Sequence, residues 1–291
     1  MRVDTIEGGF GARIHGVDPS RPLESHVADA LREAMDEHHL LVFHLPSLDS
    51  DGQKRLSSVF GPTLDESGRG DGWTLVSDRP DGVIREGALL FHSDLAFTTE
   101  PLIAISLYAL EVPPSGTATH FADGVRAASD LAPELCRRAS GLEALHIFPL
   151  TDARGDRRFR VADLDAGAPR ATHPVLWRHP RTSQIVLYVN QMQTDCVVGL
   201  SESESELLLE ALWAHLYEPA HLYTHHWQVG DLVVWDNIAV QHARDDVALG
   251  VGRTLRRVPV GRFAVGLRPA PSPGPTASDA PRTDPAVNGR R

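Results

Sequence analysis

Lysine is almost missing from this 291-residue chain: of 28 basic residues, only Lys54 is not an arginine. A skew that strong reflects genome composition more than chemistry, so a single surface arginine carries little functional weight. Positive charge is also outnumbered. The formal net charge is −11 at pH 7, which speaks against nucleic acid or an anionic membrane as partner, since both reward a basic face. Two cysteines, Cys136 and Cys196, make neither a disulfide framework nor a zinc cluster and read as reduced, partly buried thiols. No apolar run is long enough to span a bilayer. The opening MRVDTIEGGFGARIHGVD lacks the apolar core of a secretory signal, so a cytoplasmic location is the expectation.

What is present is an ordinary globular composition, 42% hydrophobic and 23% charged, enough to bury a sizeable core. Two short strands are expected in residues 1–20, around Gly8-Gly9 and Gly16. Val27, Leu31 and Met35 space a helix over 24–38. Leu40–Phe43 reads as a buried strand, and Ser50 or Asp51 as the cap of a helix ended by Gly61-Pro62. Strands are expected near 74–77, 103–110, 117–121 and 142–147, with helical segments across 123–140. Further strands follow at 173–177 and 184–189. Ser201 and Glu204 form a capping box ahead of a helix through Leu216. Strands at 221–227, 231–236 and 255–263 close the pattern. Two polar stretches, 63–90 and 151–170, are candidates for shaping a substrate mouth.

Many short strands with few helices predict a mainly β fold with flanking helices, a double-stranded β-helix or jelly-roll barrel, as a single domain over 1–266. Residues 267–291, rich in Pro, Ser and Ala without periodicity, read as a disordered tail.

Against fifteen histidines, any single one is weak evidence. The stretch Phe91-His92-Ser93-Asp94 stands out because residues i and i+2 of an extended segment share a face. His92 and Asp94 then end the apolar run Ala88–Phe91. His242 follows the strand 232–235 and a turn at Asp236-Asn237. Two His and one carboxylate occupy one face of an octahedral ion and leave the other open, which suits non-haem Fe(II) doing oxygen chemistry. Arg253, eleven residues after His242 (253 − 242), could grip the far carboxylate of a 2-oxo acid.

These residues carry a resemblance. WDNxxxxH at 235–242 followed by RTLRR at 253–257 resembles the C-terminal signature of the taurine dioxygenase family of Fe(II)/2-oxoglutarate oxygenases. GARIHGVD (11–18), the H-x-D at 92–94, PPSGTATHF (113–121) and HPVLWRHPRTSQIVLYVNQ (173–191) resemble it in order and register. The similarity covers roughly residues 5–265.

The resemblance implies that His92, Asp94 and His242 bind iron and that Thr119 and Arg253 hold 2-oxoglutarate. Arg257, on the same strand face as Arg253, matches the position that holds the substrate's anionic group. Arg256 must point the other way. Fe(II), 2-oxoglutarate and O2 would then convert an aliphatic C–H to an alcohol, with release of succinate and CO2. The expected substrate is small and anionic: a natural-product intermediate, or a sulfonate, sulfate ester or aryloxy acid. Relatives form dimers and tetramers, so a homo-oligomer is implied. Two departures stand out. Phe91 replaces the family's usual Trp, and Gly116-Thr117-Ala118-Thr119 lacks the family's acidic loop residue. Asp94 is intact, which argues against halogenation. Two other readings are a barrel that binds metal or 2-oxoglutarate without turnover, as a sensor or scaffold, and a hydrolytic Zn(II) site.

Overall fold

A computed structural model describes residues 1–8, 10–148, 156–165 and 167–262. The tail expected at 267–291, and residues 151–155 and 166 of the second polar stretch, lie outside the described residues. The first half of the chain runs β1 (Arg2–Thr5), β2 (Ala12–His15), α1 (Ser25–His38), β3 (Leu40–His44), α2 (Ser50–Ser57), β4 (Thr74–Ser77), β5 (Leu89–His92), β6 (Ala104–Glu111), β7 (Ala118–Asp123), α3 (Gly124–Ser129), α4 (Pro133–Ala139) and β8 (Glu143–Ile147). The second half adds β9 (Arg170–Pro174), β10 (Leu176–Arg178), β11 (Ile185–Leu187), β12 (Thr194–Val197), α5 (Glu202–Leu216), β13 (Leu222–His226), β14 (Asp231–Asp236), β15 (Val240–Arg244) and β16 (Thr254–Val260).

Two sheets frame the core of this jelly roll. One has seven strands in the order β1-β2-β3-β14-β6-β16-β4, the other four in the order β13-β7-β15-β5. The sheets keep separate hydrogen-bond ladders, so the expected barrel is two facing sheets rather than one closed cylinder. Between them lie Leu40, Val42, Ile105, Leu107, Phe121, Val233, Trp235, Val240 and Leu255, all buried. Phe121 meets Trp235 edge-on at 5.2 Å, a favoured arrangement for two aromatic rings.

The larger sheet is covered on its other face too. Leu41, Phe43, Tyr108, Leu232 and Val234 point away from the first core and pack with Leu31, Ala34 and Met35 of α1 and Leu56 of α2. Strands buried on both faces lose the alternating pattern and read as continuous apolar runs. That is why 40–43 and 103–110 stand out in the sequence. α5 starts at the expected capping box: Ser201 accepts from the Glu204 amide and the Glu204 side chain reaches back to the Ser201 amide. It buries Leu208, Leu209, Leu212 and Leu216, each contributing about 1.5–3 kcal/mol by its burial.

Several details differ from the sequence reading. The cap of α2 is Asp49, one residue early, whose carboxylate accepts from the Gly52 amide. The helical stretch 123–140 breaks in two because Pro133 starts a new helix as its first residue. The strand expected at 173–177 splits: Arg170–Pro174 pairs with β8, while Leu176–Arg178 pairs with β11. His242 sits within a strand of its own, β15, between β5 and β7.

Candidate metal and co-substrate site

β15 supplies the ladder that brings two distant histidines together. His242 lies directly opposite His92 on antiparallel β5, and the ring centroids are 4.1 Å apart. Directly paired residues share a face, so both rings point to the inside with Phe121, the β7 partner of His242. Asp94 comes just past the end of β5 and is clasped by its backbone. The Asp94 amide donates to Asn237 Oδ1 at 2.9 Å, and Asn237 Nδ2 donates back to the Asp94 carbonyl at 2.9 Å. Asp236 in turn accepts from the Ile238 and Ala239 amides, both at 3.0 Å, which shapes the turn into β15. The Trp-Asp-Asn segment is thus scaffold: a core ring, a turn cap and a clasp on the acidic residue.

The Asp94 carboxylate is split between two tasks. Oδ1 lies 3.3 Å from His92 Nε2 and 3.9 Å from His242 Nε2. Oδ2 accepts from Arg257 Nη2 at 2.7 Å. His92 Nδ1 lies 2.8 Å from the Leu90 carbonyl; as donor there it leaves the Nε2 lone pair facing the cluster, the tautomer a metal requires. Burial, helped by His92 beside it, pushes His242 down to about 3, so this imidazole is neutral and able to ligate. The three donor atoms lie within 4.8 Å of one another. Two imidazole nitrogens and one carboxylate oxygen converging from one side fit a divalent iron with open positions.

The two residues expected to hold 2-oxoglutarate come from β7 of the smaller sheet and from the position just ahead of β16 of the larger one. Thr119, on β7, is paired with Arg244 of β15, and its Oγ1 accepts from Trp227 Nε1 at 2.9 Å. With its lone pair so used, the hydroxyl proton is left to donate. The loop before it closes through the Gly116 amide and the Pro113 carbonyl at 2.8 Å, with Gly116 at φ 77°, where glycine is favoured. Thr117 Oγ1 accepts from Arg253 Nε at 3.2 Å. Arg253 is 2% exposed, and among the described residues no carboxylate lies within 4.0 Å of its guanidinium. Burial and the neighbouring Arg244 push it down to about 9. A buried, unpaired cation is costly until an anion joins it.

Arg257 and Arg256 diverge as the strand alternation requires. Arg256 stacks over Tyr108 at 5.0 Å and donates to Gln53 and to the Leu48 carbonyl beneath α2. Arg257 turns inward, but its fork is not open. Besides Asp94 it pairs with Glu66, a buried carboxylate from the 63–90 stretch. Sequence reasoning singles out neither Glu66 nor Arg244, and it places Asn237 in a turn without its clasp on Asp94. Glu66 follows the equally acidic Asp65, so nothing marks it as the inward one. Arg244 stands two residues after His242, and that spacing alone was the available signal. It ties the same stretch to β15 through the carbonyls of Ile84, Glu86 and Gly87. Phe91, in place of Trp, stacks on Tyr217 at 4.3 Å, which is a packing role.

Paired sheets with two histidines and a carboxylate between them, and a buried cation nearby, define a mononuclear non-haem metal oxygenase. The comparisons narrow this further. The family described as "Taurine catabolism dioxygenase TauD, TfdA family" matches residues 2–258, and the chain belongs to it. A pentalenolactone F synthase of Streptomyces arenae is 32% identical over 179 residues, 58% of this chain and 60% of that protein's length. The alpha-ketoglutarate-dependent 2,4-dichlorophenoxyacetate dioxygenase of Cupriavidus pinatubonensis (strain JMP 134 / LMG 1197) is 30% identical, covering 85% of this chain and 93% of that one. The crystal structure of AAD-2 with Mn(II) and N-oxalylglycine superposes with a TM-score of 0.77 at 26% identity, over 90% of this chain and 97% of the other. The chain is a 2-oxoglutarate-dependent dioxygenase that uses Fe(II) and O2. Among the described residues no helix is long and apolar enough to cross a membrane.

Proposed function

We propose that residues 1–266 form one catalytic unit in which His92, Asp94 and His242 hold Fe(II), and Arg253 and Thr119 hold 2-oxoglutarate. The reading is carried by one observation: two histidine nitrogens and a single oxygen of Asp94 converge, while the other Asp94 oxygen is taken by Arg257. Bound Fe(II), with 2-oxoglutarate and O2, supplies the oxidation that yields succinate, CO2 and a hydroxylated aliphatic C–H.

The protein's own residues do the rest. Asn237 fixes the Asp94 backbone, and Arg257 fixes which carboxylate oxygen faces the histidines. Leu90's carbonyl fixes the His92 tautomer. Arg253 draws the distal carboxylate of 2-oxoglutarate to a guanidinium that has no carboxylate within 4.0 Å among the described residues, and Thr119 donates its hydroxyl proton to the same co-substrate. Trp235, Phe121 and Leu255 keep water from the inner wall. The substrate is a small organic molecule handled in the cytoplasm, of the class of natural-product intermediates or of small sulfur- or oxygen-bearing acids. The dioxygenase relative above is named for an aryloxy acid.

The test compares wild type with Asp94→Ala. O2-dependent succinate formation and Fe(II) binding should both be lost in the variant, while 2-oxoglutarate still binds weakly through Arg253. A variant that retains iron and succinate formation would overturn the ligand assignment.

A further inference from the structure

Arg257 faces inward at the place where a substrate anion was expected, yet both ends of its fork are engaged. Nη2 donates to Asp94 Oδ2 at 2.7 Å, and Nη1 is ion-paired with Glu66 Oε2. The Glu66 side chain is 2% exposed. Its other oxygen, Oε1, is buried and has no hydrogen-bond partner among the described residues. Thr74, the β4 residue opposite Arg257 in register, likewise has a buried hydroxyl without a partner. Such unsatisfied polar atoms are rare in folded proteins and call for a ligand or an ordered water.

We propose that Glu66 sets the polarity of the substrate subsite: it neutralises Arg257 and presents Oε1 to a hydrogen-bond donor, so the group bound there is an alcohol or an amine. This rests on the iron and co-substrate assignment above. Two carboxylates share the one guanidinium, so its charge is matched before any substrate arrives. A sulfonate, sulfate or carboxylate placed against Arg257 would meet Glu66 at close range with no spare cation, and like charges disfavour each other strongly in a buried site, so an acidic substrate would hold its anionic group away from Arg257. A hydroxyl or ammonium removes the cost of the unpartnered oxygen. Arg257 is thereby a positioning residue, orienting Asp94, and Glu66 is the specificity determinant.

The experiment uses the full chain loaded anaerobically with Fe(II) and 2-oxoglutarate, wild type against Glu66→Gln and Glu66→Ala. The visible absorption of the loaded complex is recorded first. Calorimetry then measures binding of two slender probes of equal length, butane-1-sulfonate and butylamine. Removing the Glu66 charge should strengthen sulfonate binding at least tenfold and weaken butylamine binding by a similar factor, with the absorption unchanged. Equal sulfonate affinity in wild type and both variants, or no measurable gain in either variant, overturns the inference while leaving the iron site standing. Absence of the absorption in wild type would instead overturn the site assignment on which it rests.

Discussion

His92, Asp94 and His242 have a counterpart on the other side of the fold: Asp130, His215 and His221 also bring three donor atoms within 4.8 Å of one another. The same residue types are arranged to opposite effect. In the second group His215 Nε2 lies 2.8 Å from the Ala127 carbonyl, so the nitrogen that faces the cluster carries a proton. His221 is held at both ring nitrogens, 2.9 Å from the His215 carbonyl and 3.0 Å from Asp130. Asp130 is 58% exposed. The nitrogens that face this cluster have partners already, and the group stitches α3 to the end of α5 through hydrogen bonds. In the first group the His242 Nε2 to Asp94 Oδ1 separation of 3.9 Å is too long for a hydrogen bond. His242 Nδ1 is buried without a partner. The lesson is that ligand type and proximity do not define a metal site; what decides is which nitrogen remains uncommitted.

The largest effect that separates the two groups comes from removing a ligand. His242→Ala should lower Fe(II) affinity by more than the roughly 10–100-fold that loss of a supporting group costs, as read by equilibrium dialysis; unchanged affinity would break the comparison. Next comes the clasp. Asn237→Ala removes both hydrogen bonds to the Asp94 backbone and should weaken iron binding or turnover by about 10–100-fold, with the chain still folded by circular dichroism. Smaller still is Asp130→Asn. It should leave the iron stoichiometry unchanged and cost about 1 kcal/mol or less in urea unfolding, because Asp130 itself is more than half exposed and the asparagine oxygen can still accept from His221.

Acid tests the buried imidazoles directly. His146, fully buried with Nε2 unpartnered, is pushed down to about 3 by burial, with His173 beside it. Its folded pKa lies below its unfolded value near 6.5, so the unfolded chain binds the proton first. Its contribution to stability is therefore complete above pH 6.5 and is lost as pH falls toward 3, at up to about 1.4 kcal/mol per pH unit. Urea midpoints should drop between pH 7 and pH 5, and drop less in His146→Leu. An equal drop in both would contradict a neutral buried His146.

How much of this could be read from the chain follows from the same physics. The H-x-D pair was legible because period-two alternation is local. The pairing of His242 with His92 was not, because a ladder contact across 150 residues (242 − 92) leaves no local trace. Hence β15 reads in the sequence as a stretch after a strand rather than as a strand. Arg253, Arg256 and Arg257 sorted correctly onto faces by alternation. That Arg257 would find Glu66 already in its fork was beyond any spacing rule, because an irregular loop sets that contact. The capping box of α5 was visible since its two partners are three residues apart.

The most direct measurement is an anaerobic titration of the full-length apoprotein with Fe(II) in the presence of 2-oxoglutarate, following metal bound per chain together with the visible absorption of the chelate. One iron per chain, with absorption that saturates at the same ratio and vanishes in His242→Ala but not in His221→Ala, is the predicted result. Two irons per chain, or absorption that survives His242→Ala, would contradict the central claim that only the inner group is left with free ligand atoms.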